Sequence, residues 1–124
     1  FACGCGRLFE GTAAQMKQSL SALRDLPPDT RVYCAHEYTM SNIRFAEAVE
    51  PGNAALQERK SVCTAQLAQG QPTLPTTIGA EIATNPFMRW DQPDVIAAAS
   101  LRTGRPVADD VEVFAAIREW KNNF

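Results

Sequence analysis

The only histidine, His36, lies in the run Tyr33-Cys34-Ala35-His36-Glu37-Tyr38-Thr39, directly after an apolar stretch. An imidazole at a strand terminus is fixed by the sheet while its tip stays accessible, which suits a metal ligand or an acid–base group. The same placement suits an ordinary packed histidine, and residue types alone leave all three readings open. With no second histidine, the chain cannot complete a histidine-rich hydrolytic site by itself. Cys3, Cys5, Cys34 and His36 carry the right atoms for zinc, but their one-residue gaps are tighter than those of ordinary zinc motifs. Tyr38 and Asn42 follow closely enough to share a pocket with His36, or to pack at a boundary between elements.

Three cations form a second group. Arg118 and Lys121 are three apart near the C-terminus, a spacing that puts both on one side of a helix while Val113, Ile117 and Trp120 make its packed stripe. Together they could clamp a carboxylate; alternatively they form a solvated face where positive charge suits the helix end. Arg7, beside Cys3-Gly4-Cys5-Gly6, is a similar candidate for an anion. That glycine pattern is not a phosphate loop, which needs further glycines and a closing Lys-Ser/Thr.

The elements that must position these groups are legible in outline. Residues 1–6 read as the end of a buried strand and a glycine-bent turn. Thr12 with Gln15 forms a capping box for a helix whose apolar face is Met16, Leu20, Leu23 and Leu26, ending at Pro27-Pro28. Residues 31–35 read as a strand, giving a strand–helix–strand unit. Residues 39–49 read as a helix stopped by Pro51-Gly52. Asn53 caps another helix, which runs to about Gln69 and puts Leu56, Cys63 and Leu67 near one face. Proline breaks make 71–92 a long packed loop. Pro93-Asp94 starts a helix ending near Gly104, and Asp109 or Asp110 starts the last one. The expectation is an α/β architecture in two parts: a βαβ fragment over 1–38 and a mainly helical part over 39–124.

Composition narrows the function classes. The chain has 124 residues, 45% apolar and 21% charged, with a formal net charge of −2, so it has the makings of a folded core. No basic field exists for a nucleic-acid backbone or an anionic membrane, and no apolar run is long enough to span a bilayer. No signal-peptide pattern is visible at Phe1. Four cysteines are too few for a disulfide framework, and reduced thiols in the cytoplasm are the expectation, ahead of a structural disulfide or a metal site.

The runs Cys5-Gly6-Arg7-Leu8-Phe9-Glu10-Gly11-Thr12, Val32 to Thr39, Phe45-Ala46, Val49-Glu50-Pro51-Gly52-Asn53 and Asn85-Pro86-Phe87-Met88-Arg89 together resemble the glyoxalase II (hydroxyacylglutathione hydrolase) family of the metallo-β-lactamase superfamily. The resemblance covers essentially the whole chain. It implies the C-terminal part of an αββα sandwich followed by a helical glutathione-binding domain. It also implies two divalent metal ions, typically zinc, with iron or manganese as variants. By resemblance His36 matches the last histidine ligand, on the second metal. Tyr38, Arg118 and Lys121 match glutathione contacts, Arg7 replaces a basic residue that is often lysine, and Asn42 matches a position near that pocket. Phe9 stands where some members carry a tyrosine. The remaining ligands would lie upstream of Phe1. The implied reaction is hydrolysis of S-(R)-lactoylglutathione to glutathione and D-lactate by a metal-activated hydroxide, in a protein that is monomeric when complete. The competing expectation is a catalytically inactive glutathione-binding or interaction fragment.

Overall fold

The capping box at Thr12 forms as its sequence directs. In the computed structural model, which describes residues 1–124, the Gln15 N–H donates to Thr12 Oγ1 at 3.2 Å, and the Thr12 N–H donates to Gln15 Oε1 at 2.9 Å. Together they open helix α1, Ala13–Arg24. Strand β1, Arg31–Val32, is followed by helices α2, Thr39–Val49, and α3, Ala54–Ala68. Asn53 caps α3 by accepting the Leu56 N–H at 3.3 Å. Strand β2, Thr76–Thr77, leads directly into helix α4, Ile78–Thr84, and a 3₁₀ turn covers Pro86–Met88. Helix α5, Pro93–Thr103, ends on Gly104 at φ 73°, where a residue without Cβ meets no steric penalty. Asp109 then caps the last helix, α6, Asp110–Asn122.

The chain is mainly helical, and its one sheet has two strands. β1 pairs antiparallel with β2, Arg31 opposite Thr77 and Val32 opposite Thr76. The expected βαβ unit is therefore corrected at its first strand. Residues 1–6 form no ladder; Ala2 and Cys3 take positive φ values of 57° and 71°, which an extended strand excludes. Their polar backbone groups are satisfied by side chains from helices instead. The long loop over 71–92 is also corrected, since it contains β2, α4 and the 3₁₀ turn. α4 has only seven residues, too short for a periodic apolar stripe to show against the flanking prolines.

The main core joins α1, α2, α5 and α6 around Phe45, Phe87, Trp90 and Phe114. Its rings interlock: Phe45 stacks on Phe87 with centroids 6.0 Å apart, and Phe114 meets Phe87 edge-on at 5.5 Å. A smaller cluster of Cys3, Ile43, Ala46, Leu56 and Cys63 packs α3 and the N-terminal segment onto α2. Leu23, Leu26 and Leu67, expected on packed faces, are exposed and belong to neither cluster. The segments that carried the family resemblance meet in space. Glu50 accepts from Arg89 Nε at 2.7 Å and Nη2 at 3.0 Å, and Asn53 Nδ2 donates to the Ala83 carbonyl at 2.9 Å. No helix is long and apolar enough to cross a membrane.

Candidate functional site

Residues 1–6 have no regular structure, yet three helices hold them in place. From α2, Asn42 Nδ2 donates to the carbonyls of Phe1 at 3.1 Å and Ala2 at 3.2 Å. From α4, Glu81 accepts the Cys3 N–H at 2.8 Å, and Asn85, just past that helix, donates to the Gly4 carbonyl at 2.9 Å. From α6, Arg118 Nη1 donates to the carbonyls of Cys5 at 2.7 Å and Gly6 at 3.1 Å. Gly4 is required by this closeness: a Cβ there would lie 2.6 Å from Asn42 Cγ. Arg7 thus leaves a rigid turn.

The second wall is the stretch 33–38 between β1 and α2. Glu37 accepts the Thr73 N–H at 3.2 Å and the Thr73 hydroxyl, and Thr73 Oγ1 lies 2.6 Å from Thr39 Oγ1. His36 and Tyr38 project from this stretch as a parallel stack, with centroids 5.0 Å apart and ring planes 5° apart.

Between the walls is a cleft of about 360 Å³. The structure brings Arg7, His36, Tyr38, Asn42, Arg118 and Lys121 together around it, so every candidate site residue lines one cavity. Phe1, Phe9, Cys5 and Cys34 complete its sides, and no Asp or Glu takes part. None of the three cations is in an ion pair. Burial first, then the charges of Arg118 and Arg7, pushes the Lys121 ammonium below its ordinary value. A cationic cleft whose charges oppose one another is set up for an anion.

The residues differ in how free they are. Arg7, His36 and Tyr38 are exposed, and Lys121 is half-buried. Arg118 is only 3% exposed, which excludes the solvated-face reading for it. Its guanidinium carbon lies 5.0 Å over the Phe87 ring, and its Nε is buried without a partner. Asn42 is 6% exposed with its amide N–H groups spent on the N-terminal carbonyls.

The thiols are not a common site. Cys3 and Cys5 lie in the segment read as a strand end, where residues two apart would face one side. Instead the Cys3 thiol is buried and donates to the Thr84 carbonyl at 3.3 Å, while Cys5 lines the cleft beside Arg118. The left-handed backbone at Ala2 and Cys3 breaks the two-residue alternation of a strand. All four cysteines are free. Burial pushes the Cys3 thiol up to about 12, and it raises Cys5, Cys34 and Cys63 as well.

No three His, Cys, Asp or Glu side chains converge as a metal-binding group. These residues do not compose a metal centre by themselves; His36, exposed at the cleft, can offer one ligand. Sequence reasoning missed Glu81, Arg59, Asn85 and Thr76. What ties them to the site is distant in sequence, Cys3 and Gly4 at one end and Arg59 at the other, and α4 itself carries no periodic signal.

Residues 37–124, which carry α2 to α6, match a described family, hydroxyacylglutathione hydrolase C-terminus. The chain belongs to that family. Over its whole length it is 58% identical to a hydroxyacylglutathione hydrolase of Nitrosomonas europaea, covering 47% of that protein. It is 60% identical to the one of Cupriavidus taiwanensis, covering 46%, and 53% identical to one of Pseudomonas aeruginosa, covering 48%, again over all of this chain. The chain spans about half the length of the curated relatives it matches.

Proposed function

We propose that this chain is the glutathione-holding half of a hydroxyacylglutathione hydrolase that cleaves S-(R)-lactoylglutathione to glutathione and D-lactate. The observation that carries the reading is the cleft's charge: Arg7, Arg118 and Lys121 converge with no acidic residue, beside His36 and Tyr38. Glutathione presents carboxylates at both ends of an extended peptide, and such a ligand relieves the mutual repulsion of three cations. Arg7 and Lys121, the more accessible, make direct ion pairs. Arg118, held by the Cys5 and Gly6 carbonyls, contributes charge from the floor and keeps the Arg7 turn in place. Tyr38 offers a hydroxyl and a ring face to the peptide part. Together these groups fix the thioester relative to His36, and their contribution is positioning.

Two divalent metal ions, zinc or its iron and manganese variants, belong to the proposal, with His36 as one ligand and the others from residues outside 1–124. When bound, the metals would supply Lewis-acid chemistry, activating water at neutral pH and the thioester carbonyl, with His36 among the groups that would hold them.

The test is hydrolysis of S-(R)-lactoylglutathione by the full-length protein that carries this chain, with glutathione binding measured by calorimetry. Arg7→Ala and Lys121→Ala are each expected to raise KM about tenfold with a smaller change in kcat, the signature of lost ground-state binding. A metal-loaded full-length protein with neither turnover nor glutathione binding sinks the proposal.

A further inference from the structure

Glu81 lies outside the cleft, on α4, and is fully buried. Its two carboxylate oxygens serve different parts of the molecule. Oε1 accepts the Cys3 N–H at 2.8 Å and an Asn85 Nδ2–H at 3.0 Å, and Asn85 also donates to the Gly4 carbonyl. Those residues lead straight into Cys5, Gly6 and Arg7, the first wall of the cleft. Oε2 accepts from Arg59 Nη1 at 2.6 Å and from the Thr76 hydroxyl at 2.9 Å. The Thr76 oxygen accepts from Arg59 Nη2 at 3.1 Å, so the three side chains close a ring. Thr76 is the β2 partner of Val32, just before the stretch that bears His36 and Tyr38. At the other end of that stretch, Thr73 holds Glu37. Residues 73–77 therefore strap the second wall at both ends, and the strap is moored to the same carboxylate as the first wall.

We propose that Glu81 and Thr76 are positioning residues that lock the two walls of the cleft to each other. This rests on the glutathione-holding reading given above. A buried ion pair is weak evidence for stability, because desolvation cancels much of its attraction, and its better-attested use is to specify one arrangement. Here the specified arrangement is the separation of the Arg7 turn from the His36–Tyr38 stretch. A ligand gripped by both walls binds more tightly when their spacing is set in advance.

The experiment uses the full-length protein, glutathione as the calorimetric probe and S-(R)-lactoylglutathione as substrate. Thr76→Val keeps the shape and removes the hydroxyl, leaving Arg59 and Glu81 paired. Glutathione Kd and thioester KM are expected to rise about fivefold as the hydroxyl's two hydrogen bonds, to Glu81 and from Arg59, are lost. Thr76→Ser, which restores the hydroxyl, is expected to match wild type. Val95→Ala, a cavity in the main core, lowers thermal stability and is expected to leave both constants unchanged. If Thr76→Val does not fold, Thr73→Val removes the hydroxyl contacts at the strap's other end, leaving only the Thr73 N–H on Glu37, and is expected to shift the constants the same way. Wild-type constants in the folded strap variant overturn the inference while the functional reading stands. So does failure of Thr76→Ser to restore them, or an equal shift in Val95→Ala. A metal-loaded wild type that neither binds glutathione nor hydrolyses its thioester overturns the functional reading, and the inference with it.

Discussion

Replacing Gly4 by alanine tests how tightly the N-terminal turn is held. The Gly4 backbone lies outside the left-handed region, so alanine is conformationally allowed and the cost comes only from contact. Its new methyl would lie 2.6 Å from Asn42 Cγ and 2.8 Å from both Asn42 amide atoms. Asn42 is 6% exposed and cannot swing into solvent without releasing the Phe1 and Ala2 carbonyls. Two neutral hydrogen bonds at roughly 0.5–1.5 kcal/mol each, lost when the amide moves, amount to about 1–3 kcal/mol. Overpacking a fitted site costs about 1–3 kcal/mol. Movement of the amide relieves part of that strain, so the two effects do not simply add, and Gly4→Ala is expected to destabilise by about 2–4 kcal/mol. The assay is urea unfolding at 25 °C in wild-type and Asn42→Ala backgrounds. With the amide gone the clash disappears, and Gly4→Ala should cost less than about 1 kcal/mol, or stabilise slightly by restricting the unfolded chain. An equal cost in both backgrounds would refute the argument that the Asn42 contact is what requires glycine.

Arg118→Met removes the donors to the Cys5 and Gly6 carbonyls while keeping much of the apolar stem; glutathione Kd, measured by calorimetry, should rise at least about tenfold, since charge-assisted hydrogen bonds are worth about 1.5–3 kcal/mol. Lys121 has a folded pKa below the ordinary 10.5, so it sheds its proton earlier as pH rises; affinity for glutathione should be full below that depressed value and fall on passing through it, a decline that Lys121→Arg removes. Cys3, with its thiol raised from 9.0 to about 12, should stay inert to an aromatic disulfide reagent at pH 8 until the chain unfolds. Its folded pKa is raised, so the stability linked to it is fully present below the unfolded value and is lost as pH climbs towards 12, and a Cys3→Ala variant should lack that alkaline slope in urea titrations.

The helices that were legible from sequence carry their own local instructions. Thr12 with Gln15, Asn53, Gly104 and Asp109 each act within one turn, so their geometry follows from neighbouring residues alone. The candidate site residues were legible as types and by resemblance, and all six line one cleft. Their states were not legible. Arg118 has the periodicity of a helix flank, and only the arrival of residues 5 and 6, 113 and 112 positions away, turns it into a buried donor. Residues 1–6 misled because small apolar residues and glycines suit a strand end, whereas positive φ at Ala2 and Cys3 depends on which side chains surround them. Glu81 was invisible for the converse reason. A carboxylate is a surface residue by default, and its burial makes sense only with Arg59, 22 positions back, and Cys3, 78 positions back.

The clamp on residues 1–6 separates two definitions of a domain. The family profile starts the helical unit at residue 37. Mechanically the unit reaches back at least to Phe1, because the carbonyls and amide that occupy Asn42, Glu81, Asn85 and Arg118 come from residues 1–6. A graft cut at residue 37 would transplant five helices without the plug that fills them, leaving the Glu81 carboxylate and the Arg118 guanidinium without their N-terminal partners. For anyone moving this helical unit onto another scaffold, the junction belongs ahead of Phe1, and residues 1–6 should be treated as cargo and not as linker.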